Sequence, residues 1–237
     1  KMKFSIIIPN INNCFKLKKC IDSINKSVIK DYEIIIVDDY SDDPLIKKYY
    51  SEILSDNIHI LLNEKNYGPS YSRNRGAFHT KGEIIIFIDS DCYIFPDTLT
   101  IINKFFNENK GVSCVGGTYT IQSLSGNFFD DFQSLCVNYF ELKKEEAPYL
   151  AGHCFAIKND LFKKTKGFFI GDYIGRKPNV EDVVFSLELK KIGERLMIIP
   201  NLLVKHDSSY NLYKSIRNAF GKSFIWAKLS SKQNNIK

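Results

Sequence analysis

Two strongly apolar runs of the chain end in acidic residues that could bind a cation or a polar ligand. Asp89 and Asp91 end the run IIIFIDSD, and two carboxylates separated by one residue can project toward one hard cation. Mg²⁺ and Mn²⁺ bind a few carboxylates together with phosphate oxygens. Asp38 and Asp39 end the run EIIIVDD, where adjacent carboxylates need a cation, a nucleobase N–H or a ribose hydroxyl beside them. The alternative for both pairs is an acidic turn or helix cap that faces water.

Two arginines and a second acidic pair fall in predicted helices. Arg73 and Arg75 share one helical turn, and a guanidinium group can grip phosphate or carboxylate in a bidentate manner. A surface pair that binds an acidic neighbour is the alternative. Glu181 and Asp182 begin the segment EDVVFSLELKKIG, where a carboxylate could act as general base for a hydroxyl. The same pair could simply complement the dipole of the helix.

The apolar pattern predicts the elements that must position these residues. Over the first 120 residues, isoleucine-rich runs alternate with helix-like segments, which is typical of parallel strands covered on both faces. We predict strands at 4–9, 33–37, 58–62 and 83–88, and helices at 11–24, 43–54, 69–80 and 97–107. Ligands bind beyond the carboxyl ends of the strands in such sheets. The residues expected at that edge are Pro9, Asn12, Asp38, Asp39, Asn66, Gly68, Asp89, Ser90 and Asp91.

The second half of the chain loses this alternation. We predict strands at 112–121, 150–157, 195–200 and 202–205, and helices at 128–144, 159–165, 181–192 and 210–229. Because no linker separates the halves, we expect one continuous sheet of the doubly wound α/β class. His206 follows the last strand and could complete a metal site with Asp91, although a lone histidine is more often structural.

Composition excludes several classes of protein. The 237 residues are 44% hydrophobic and 25% charged, as in ordinary globular proteins and unlike disordered or fibrous ones. The sequence has no apolar run of the roughly 20 residues that a transmembrane helix needs, and its first residues lack a signal-peptide pattern. Its six cysteines lack the C-x-x-C spacing of zinc sites. We therefore expect reduced thiols and a cytoplasmic protein.

The positive charge is concentrated at the C-terminal end. Residues 205–237 contain seven basic residues and one acidic residue. Their net charge of +6 equals the net charge of the whole chain. The preceding part is neutral, so we expect no nucleic-acid partner. Within 210–229, one predicted helical face carries Tyr213, Ile216, Phe220, Phe224 and Ala227. Two interpretations stay open: an interfacial helix at the inner face of a membrane, or a closing helix packed on the core.

Five ordered segments resemble the inverting family 2 glycosyltransferases, which have the GT-A fold. SIIIPNINN resembles the opening strand of that family, and VDDYSDD, NYGPSYSRNRG and IDSD resemble its next three motifs. VEDVVFSLELKKIG resembles its E-D helix, and His206 falls where many members place a metal-binding histidine. The first four motifs lie within residues 4–91, and the fifth follows in the expected order.

The resemblance implies a fold and a reaction. The GT-A fold has a doubly wound, mostly parallel sheet, here with a nucleotide-sugar-binding half (1–115), an acceptor half (116–204) and a C-terminal basic helix (205–237). The implied reaction is metal-dependent, inverting transfer from a nucleotide-sugar, most often a UDP-sugar, to a hydroxyl acceptor. Mn²⁺ or Mg²⁺ would be the cofactor. A bacterial surface glycan or a lipid-linked glycan would be the product or acceptor.

The resemblance also implies a role for each candidate residue. Asp182 would deprotonate the acceptor hydroxyl, with Glu181 as the weaker candidate, and Asp91 and His206 would bind the metal. Gly152 and His153 would contact the sugar and acceptor. The residues implied in binding the nucleotide-sugar are Pro9, Asn12, Asp38, Asp39, Asn66, Gly68, Arg73, Asp89 and Ser90.

Three other functions compete with this interpretation. A catalytically inactive nucleotide-sugar-binding protein would keep the binding residues without turnover. A phosphoacceptor signalling domain also carries an acidic pair at a strand end, but such domains are about half as long and would leave the arginine pair unexplained. A nucleotidyltransferase would need a glycine-rich phosphate loop after the first strand, where PNINNC has no glycine.

Overall fold

The computed structural model describes residues 3–143, 146–171 and 180–216, which form an α/β fold around one eight-stranded sheet. The strands are β1 (Phe4–Asn10), β2 (Tyr32–Asp38), β3 (Ile58–Leu62), β4 (Ile84–Phe87), β5 (Cys92–Ile94), β6 (Cys114–Tyr119), β7 (Phe155–Lys158) and β8 (Leu196–His206). The helices are α1 (Cys14–Asn25), α2 (Pro44–Ile53), α3 (Pro69–Phe78), α4 (Thr98–Glu108), α5 (Phe128–Leu142), α6 (Asn159–Phe162) and α7 (Glu181–Lys191).

The first four strands of the sheet order form a fully parallel unit, as predicted. The order is β3-β2-β1-β4-β7-β6-β8-β5, and the pairs β3–β2, β2–β1 and β1–β4 are parallel. Alternate residues of β1 serve two cores: Ile6 and Ile8 pack on one face of the sheet, and Ile7 packs on the other. Both faces are thus covered, which explains the unbroken isoleucine runs.

The second half of the sheet mixes strand directions. β7 pairs antiparallel with both β4 and β6, β6 pairs parallel with β8, and β5 pairs antiparallel with β8. Phe87 of β4 packs against Phe155 of β7 and against Phe168, which lies between α6 and α7. Phe185 of α7 also packs against Phe155 and Phe168. The two halves therefore share an aromatic core. β7 thus lies between β4 of the first half and β6 of the second and runs against both.

Several predicted boundaries were wrong. α1 begins at Cys14 and not at residue 11, because Asn12 adopts a left-handed conformation with φ of 47°. The strand predicted at 150–157 begins only at Phe155. The two short strands predicted at 195–205 are one strand, β8, and Pro200 lies within it. The three-residue strand β5 was not predicted at all, since three residues are too few for a periodic signal.

Part of the predicted C-terminal helix lies outside the described residues. The structure describes one helical turn at 212–216, and residues 217–229 of the predicted helix are not described. Within the described part of the chain, none of the helices has both the length and the apolar content needed to cross a bilayer.

Candidate active site

Arg73 lies at the centre of the candidate site. It sits on α3, which can pack closely on β1 because Gly76 has no side chain. A Cβ atom at Gly76 would lie only 2.6 Å from Ile7 Cγ2. The Arg73 guanidinium is buried and bridges two acidic residues, with Nη2 2.6 Å from Asp89 Oδ1 and Nη1 2.8 Å from Glu181 Oε1. Burial alone would lower the pKa of Arg73, but these carboxylates outweigh burial and raise it. Arg73 therefore remains a cation that ties α3 to α7.

Asp182 lies beside this bridge and is held by backbone amides. Its Oδ2 accepts a hydrogen bond from the Gly152 N–H (3.1 Å), and its Oδ1 accepts one from the Val183 N–H (2.8 Å). Burial, aided by the neighbouring Glu181 charge, raises the pKa of Asp182 to about 6, although Arg73 and the two amides oppose this shift. A carboxylate with this pKa is ionised at neutral pH and still accepts a proton readily.

Gly152 lets Arg73 and Asp182 come together. A Cβ atom at Gly152 would lie 2.8 Å from Arg73 Nη2, closer than packing allows. The Gly152 amide meanwhile binds Asp182, so one backbone position contacts both the cation and the carboxylate.

Asp91 and His206 meet at the far end of the sheet. β5 and β8 pair with Cys92 opposite His206, and the Asp207 N–H donates to the Asp91 carbonyl at 2.8 Å. The Asp91 Oδ2 and His206 Nε2 atoms are 3.4 Å apart. Burial alone would raise the pKa of Asp91, but His206 and Lys16 lower it below its usual value. The carboxylate is therefore ionised at neutral pH.

A stack of three rings connects this pair to a buried ion pair. The Tyr119 ring lies between His206, with centroids 4.6 Å apart and nearly parallel planes, and His153, at 4.2 Å. His153 Nε2 is 3.4 Å from the Glu141 Oε2 of α5, and both residues are buried. Burial alone would lower the pKa of His153, but Glu141 outweighs it and raises the pKa.

Asp38 and Asp39, at the end of β2, accept hydrogen bonds that order the neighbouring loops. Asp39 accepts hydrogen bonds from Asn63 Nδ2 (2.7 Å) and from the Tyr67 and Gly68 amides (2.9 and 2.7 Å). Asp38 accepts from the Tyr50 hydroxyl at 2.6 Å and from the Ser41 amide at 2.7 Å. Both carboxylates are buried, and these donors compensate their charges.

The remaining predicted residues lie along the same edge. Asn12 Oδ1 accepts from the Asp42 and Asp43 amides at 2.9 and 3.1 Å and so fixes the loop after β2. Gly68 has a φ of 90°, which favours glycine, and precedes α3. The other three differ in exposure: Pro9 and Ser90 are half-buried, and Asn66 is exposed.

Comparisons with known proteins agree with this geometry. The sequence profile of glycosyl transferase family 2 matches residues 5–166 of the chain. The chain belongs to this family.

Two curated relatives of this family 2 glycosyltransferase are bacterial. Glycosyltransferase GlyA of Streptococcus pneumoniae is 33% identical over 141 residues, which are 59% of this chain and 20% of GlyA. The GalNAc(5)-diNAcBac-PP-undecaprenol beta-1,3-glucosyltransferase of Campylobacter jejuni is 34% identical over 134 residues, which are 55% of this chain and 42% of that relative. The chain thus spans less than half the length of either relative.

Solved structures confirm the GT-A-type glycosyltransferase fold. The mannosyltransferase PcManGT of Pyrobaculum calidifontis, in complex with GDP-Man and Mn²⁺, has a TM-score of 0.71 at 19% identity and covers 91% of this chain and 59% of its own. TarS of Staphylococcus aureus, residues 1–349 in complex with UDP-GlcNAc, has a TM-score of 0.68 at 21% identity. The match covers 91% of this chain and 65% of the TarS chain.

The ligand atoms at Asp91 and His206 suit the divalent metal that this family implies. Asp91, Cys92 and His206 offer atoms that all lie within 4.8 Å of one another. Burial and the adjacent Asp91 raise the pKa of Cys92 well above its usual value, so its thiol stays protonated and is a poor ligand. An ionised carboxylate and an imidazole are ligands that Mn²⁺ accepts. A cavity of about 380 Å³ adjoins them, lined by Lys16, Asp91, His206, Ser208, Ser209, Tyr210 and Lys214.

The sequence analysis missed several residues of this candidate site. Asn63 directly follows β3 and could have been found, because it is a polar residue at a strand end. Tyr50, Tyr119 and Glu141 had no such signal. Tyr50 binds Asp38, Tyr119 stacks on His206, and Glu141 pairs with His153. Each partner lies in another part of the chain, so these contacts are recognised only in the folded structure.

Proposed function

We propose that this domain catalyses metal-dependent, inverting transfer of a sugar from a nucleotide-sugar to a hydroxyl acceptor. The single observation that carries the proposal is the arrangement around Arg73. This buried cation binds Asp89 directly, while Asp182, with a raised pKa, lies beside its other partner Glu181. A cation for the leaving group and one proton acceptor are the parts that a single in-line displacement needs.

Asp182 is the proposed general base. In the proposed step, an Asp182 oxygen takes the proton of the acceptor hydroxyl while that hydroxyl oxygen bonds to the anomeric carbon. The bond from the anomeric carbon to the phosphate oxygen breaks, and the nucleoside diphosphate leaves with the electron pair. Attack opposite the leaving group inverts the anomeric centre. Glu181 suits this role less well, because its carboxylate is bound to Arg73.

The donor is proposed to bind along the carboxyl edge of the parallel strands. Buried Asp38 and Asp39, with Asn12, are proposed to bind the nucleobase and ribose, and Arg73 and Asp89 the diphosphate and the sugar. We favour a UDP-sugar, in line with the UDP-GlcNAc bound to TarS, which shares the fold. The other proposed donor contacts are Pro9, Asn66, Gly68 and Ser90.

Asp91 and His206 are proposed to hold Mn²⁺ or Mg²⁺. When bound, the ion would offset the negative charge that develops on the leaving diphosphate. PcManGT, which shares the fold, is in complex with Mn²⁺, and this supports the same choice here.

The acceptor is proposed to bind beside Gly152 and His153. The C. jejuni relative is named for transfer to an undecaprenol-linked glycan, and this supports a lipid-linked acceptor in bacterial surface glycan synthesis. We propose that the reaction takes place in the cytoplasm, at the inner face of the membrane. There a nucleotide-sugar from the cytoplasm and a lipid-linked acceptor come within reach of one enzyme.

A donor screen tests the proposal. The protein is incubated with UDP-glucose, UDP-N-acetylglucosamine, UDP-galactose or GDP-mannose, with Mn²⁺ or with EDTA, and released nucleoside diphosphate is measured. We expect release from one donor that needs metal, and its loss in Asp182→Asn. Asp160→Asn, an exposed carboxylate on α6, is the matched control and should keep activity. Metal-dependent heat of UDP binding without any turnover would favour the inactive binding protein instead.

A further inference from the structure

The His206 imidazole lies against Tyr119, a residue to which the proposed reaction gives no role. The two ring centroids are 4.6 Å apart and their planes differ by 8°, so the rings are stacked. The sheet produces this contact, because β6 and β8 pair with Tyr119 opposite Val204. Side chains alternate along a strand, so His206 lies on the same face of β8 as Val204. Two paired strands thus bring the Tyr119 ring to the imidazole.

Tyr119 is held from its other face as well. The His153 ring is tilted by 35° against it, with centroids 4.2 Å apart. His153 Nε2 lies 3.4 Å from the Glu141 carboxylate of α5. Tyr119, His153 and Glu141 are each at least nine-tenths buried. Contacts on both faces leave the Tyr119 ring little room to tilt, so it presents a rigid surface to His206.

The His206 imidazole lacks the restraint that commonly orients a metal-binding histidine. Such a histidine usually donates its other ring N–H to a carboxylate, a carbonyl or water, which fixes the plane of the ring. Here the Nδ1 atom of His206 is buried and has no hydrogen-bond partner among the described residues. The Nε2 atom lies 3.4 Å from Asp91 Oδ2. The contact available to orient the ring is therefore the stack on Tyr119.

We propose that Tyr119 is a positioning residue for the candidate metal site. Its ring fixes the plane of the His206 imidazole and so keeps Nε2 directed at Asp91. This role rests on the proposed function, in which Asp91 and His206 bind Mn²⁺ or Mg²⁺. A ligand that is oriented in advance loses less freedom when the metal binds, and binding is therefore tighter. Stacking needs the aromatic ring alone, so the Tyr119 hydroxyl is not required.

Mn²⁺ affinity tests this role without any sugar transfer. Mn²⁺ alone is titrated into the protein, and the free ion is followed by its electron paramagnetic resonance signal. We expect Tyr119→Leu to raise the Kd for Mn²⁺ by about 10–100-fold, the usual effect of losing a group that orients a metal ligand. Tyr119→Phe keeps the ring and should keep the wild-type Kd. Tyr32→Leu is the matched control, because it removes another buried tyrosine of the same core from the distant strand β2.

A second measurement detects the stack in the metal-free protein. With isotope-labelled histidine, the ring protons of His206 should resonate upfield in the NMR spectrum because of the ring current of Tyr119. His206→Gln assigns their signal among those of the four histidines. The upfield shift should persist in Tyr119→Phe and disappear in Tyr119→Leu. Circular dichroism checks that every variant is folded.

Three results would overturn the proposal. If His206→Ala weakens Mn²⁺ binding and Tyr119→Leu does not, the metal site stands and Tyr119 has no part in it. If Tyr119→Leu and Tyr32→Leu weaken Mn²⁺ binding equally, the effect is general destabilisation. If His206→Ala leaves the Kd unchanged, the proposed metal role of His206 is wrong, and the role of Tyr119 is wrong with it.

Discussion

Asp182 is the residue whose environment makes the sharpest chemical prediction. Asp182→Asn nearly keeps the shape of the side chain, but it removes the proton acceptor and leaves an acceptor oxygen for only one of the Gly152 and Val183 amides. We expect kcat to fall by about 10²–10⁴-fold, the usual contribution of a general base. Nucleotide affinity, measured by calorimetry, should stay unchanged. Wild-type turnover in this variant would assign the proton transfer to another group.

The raised pKa of Asp182 also predicts a pH dependence. Because its pKa is about 6 in the folded protein, kcat/KM should fall as the pH drops below about 6 and the carboxylate becomes protonated. The unfolded chain has an ordinary aspartate pKa of about 3.9, so the folded state binds more protons between these values. Stability derived from this group is therefore present at low pH and lost as the pH rises through 6.

Thermal unfolding checks the second part of this prediction. The melting temperature of Asp182→Asn relative to wild type should increase as the pH is raised from about 4 to about 7, since the variant never ionises at this position. A difference that is constant over this range would mean that the pKa of Asp182 is ordinary.

At the scale of elements, the pairing of β6 with β8 determines where His206 lies. The pairing shifts register between Gly116 and Thr118, and the Gly117 between them passes very close to β8. A Cβ atom at Gly117 would approach the Leu202 carbonyl, which is backbone and cannot move without displacing the strand. β8 ends at His206, so a displaced β8 also displaces the candidate metal ligand.

Gly117→Ala should therefore destabilise the protein and weaken metal binding. We expect a loss of about 1–3 kcal/mol, as for other overpacked sites, and a melting temperature lower by about 2–4 °C per kcal/mol. Gly111→Ala is the matched control, since a Cβ atom there would have open space. Equal melting temperatures for the two variants would show that β8 can adapt.

The sequence predicted the elements that follow local rules. The isoleucine-rich strands β1 to β4 and their polar ends were recognised because buried parallel strands have an unbroken apolar pattern and ligand sites follow their carboxyl ends. β5 was not predicted, because its three residues form a strand only by pairing with β8, more than 100 positions away in the sequence. The Glu141–His153 contact was missed because it joins a helix to the loop before β7, and a single contact between two elements leaves no periodic signal.

At the scale of the whole molecule, long-range contacts bring the parts of the site together. The Arg73–Glu181 bridge joins residues 108 positions apart, and the β5–β8 pairing brings Asp91 to His206. The edge that is proposed to bind the nucleotide thus comes from the first half of the chain, while His206 and Asp182 come from the second half. A ligand that contacts both parts should stabilise the whole fold and not one half alone.

This arrangement predicts that metal and nucleotide stabilise the protein together. With UDP and Mn²⁺ both present, the melting temperature should rise by more than the sum of the two separate shifts, because each ligand adds contacts for the other. Asp91→Ala should remove the extra shift and leave the effect of UDP alone unchanged, since only the metal contact is lost. Asp182→Asn should keep the full shift, because its carboxylate is proposed to act on the acceptor. Additive shifts in the wild type would place the metal away from the diphosphate, and the proposed roles of Asp91 and His206 would then be wrong.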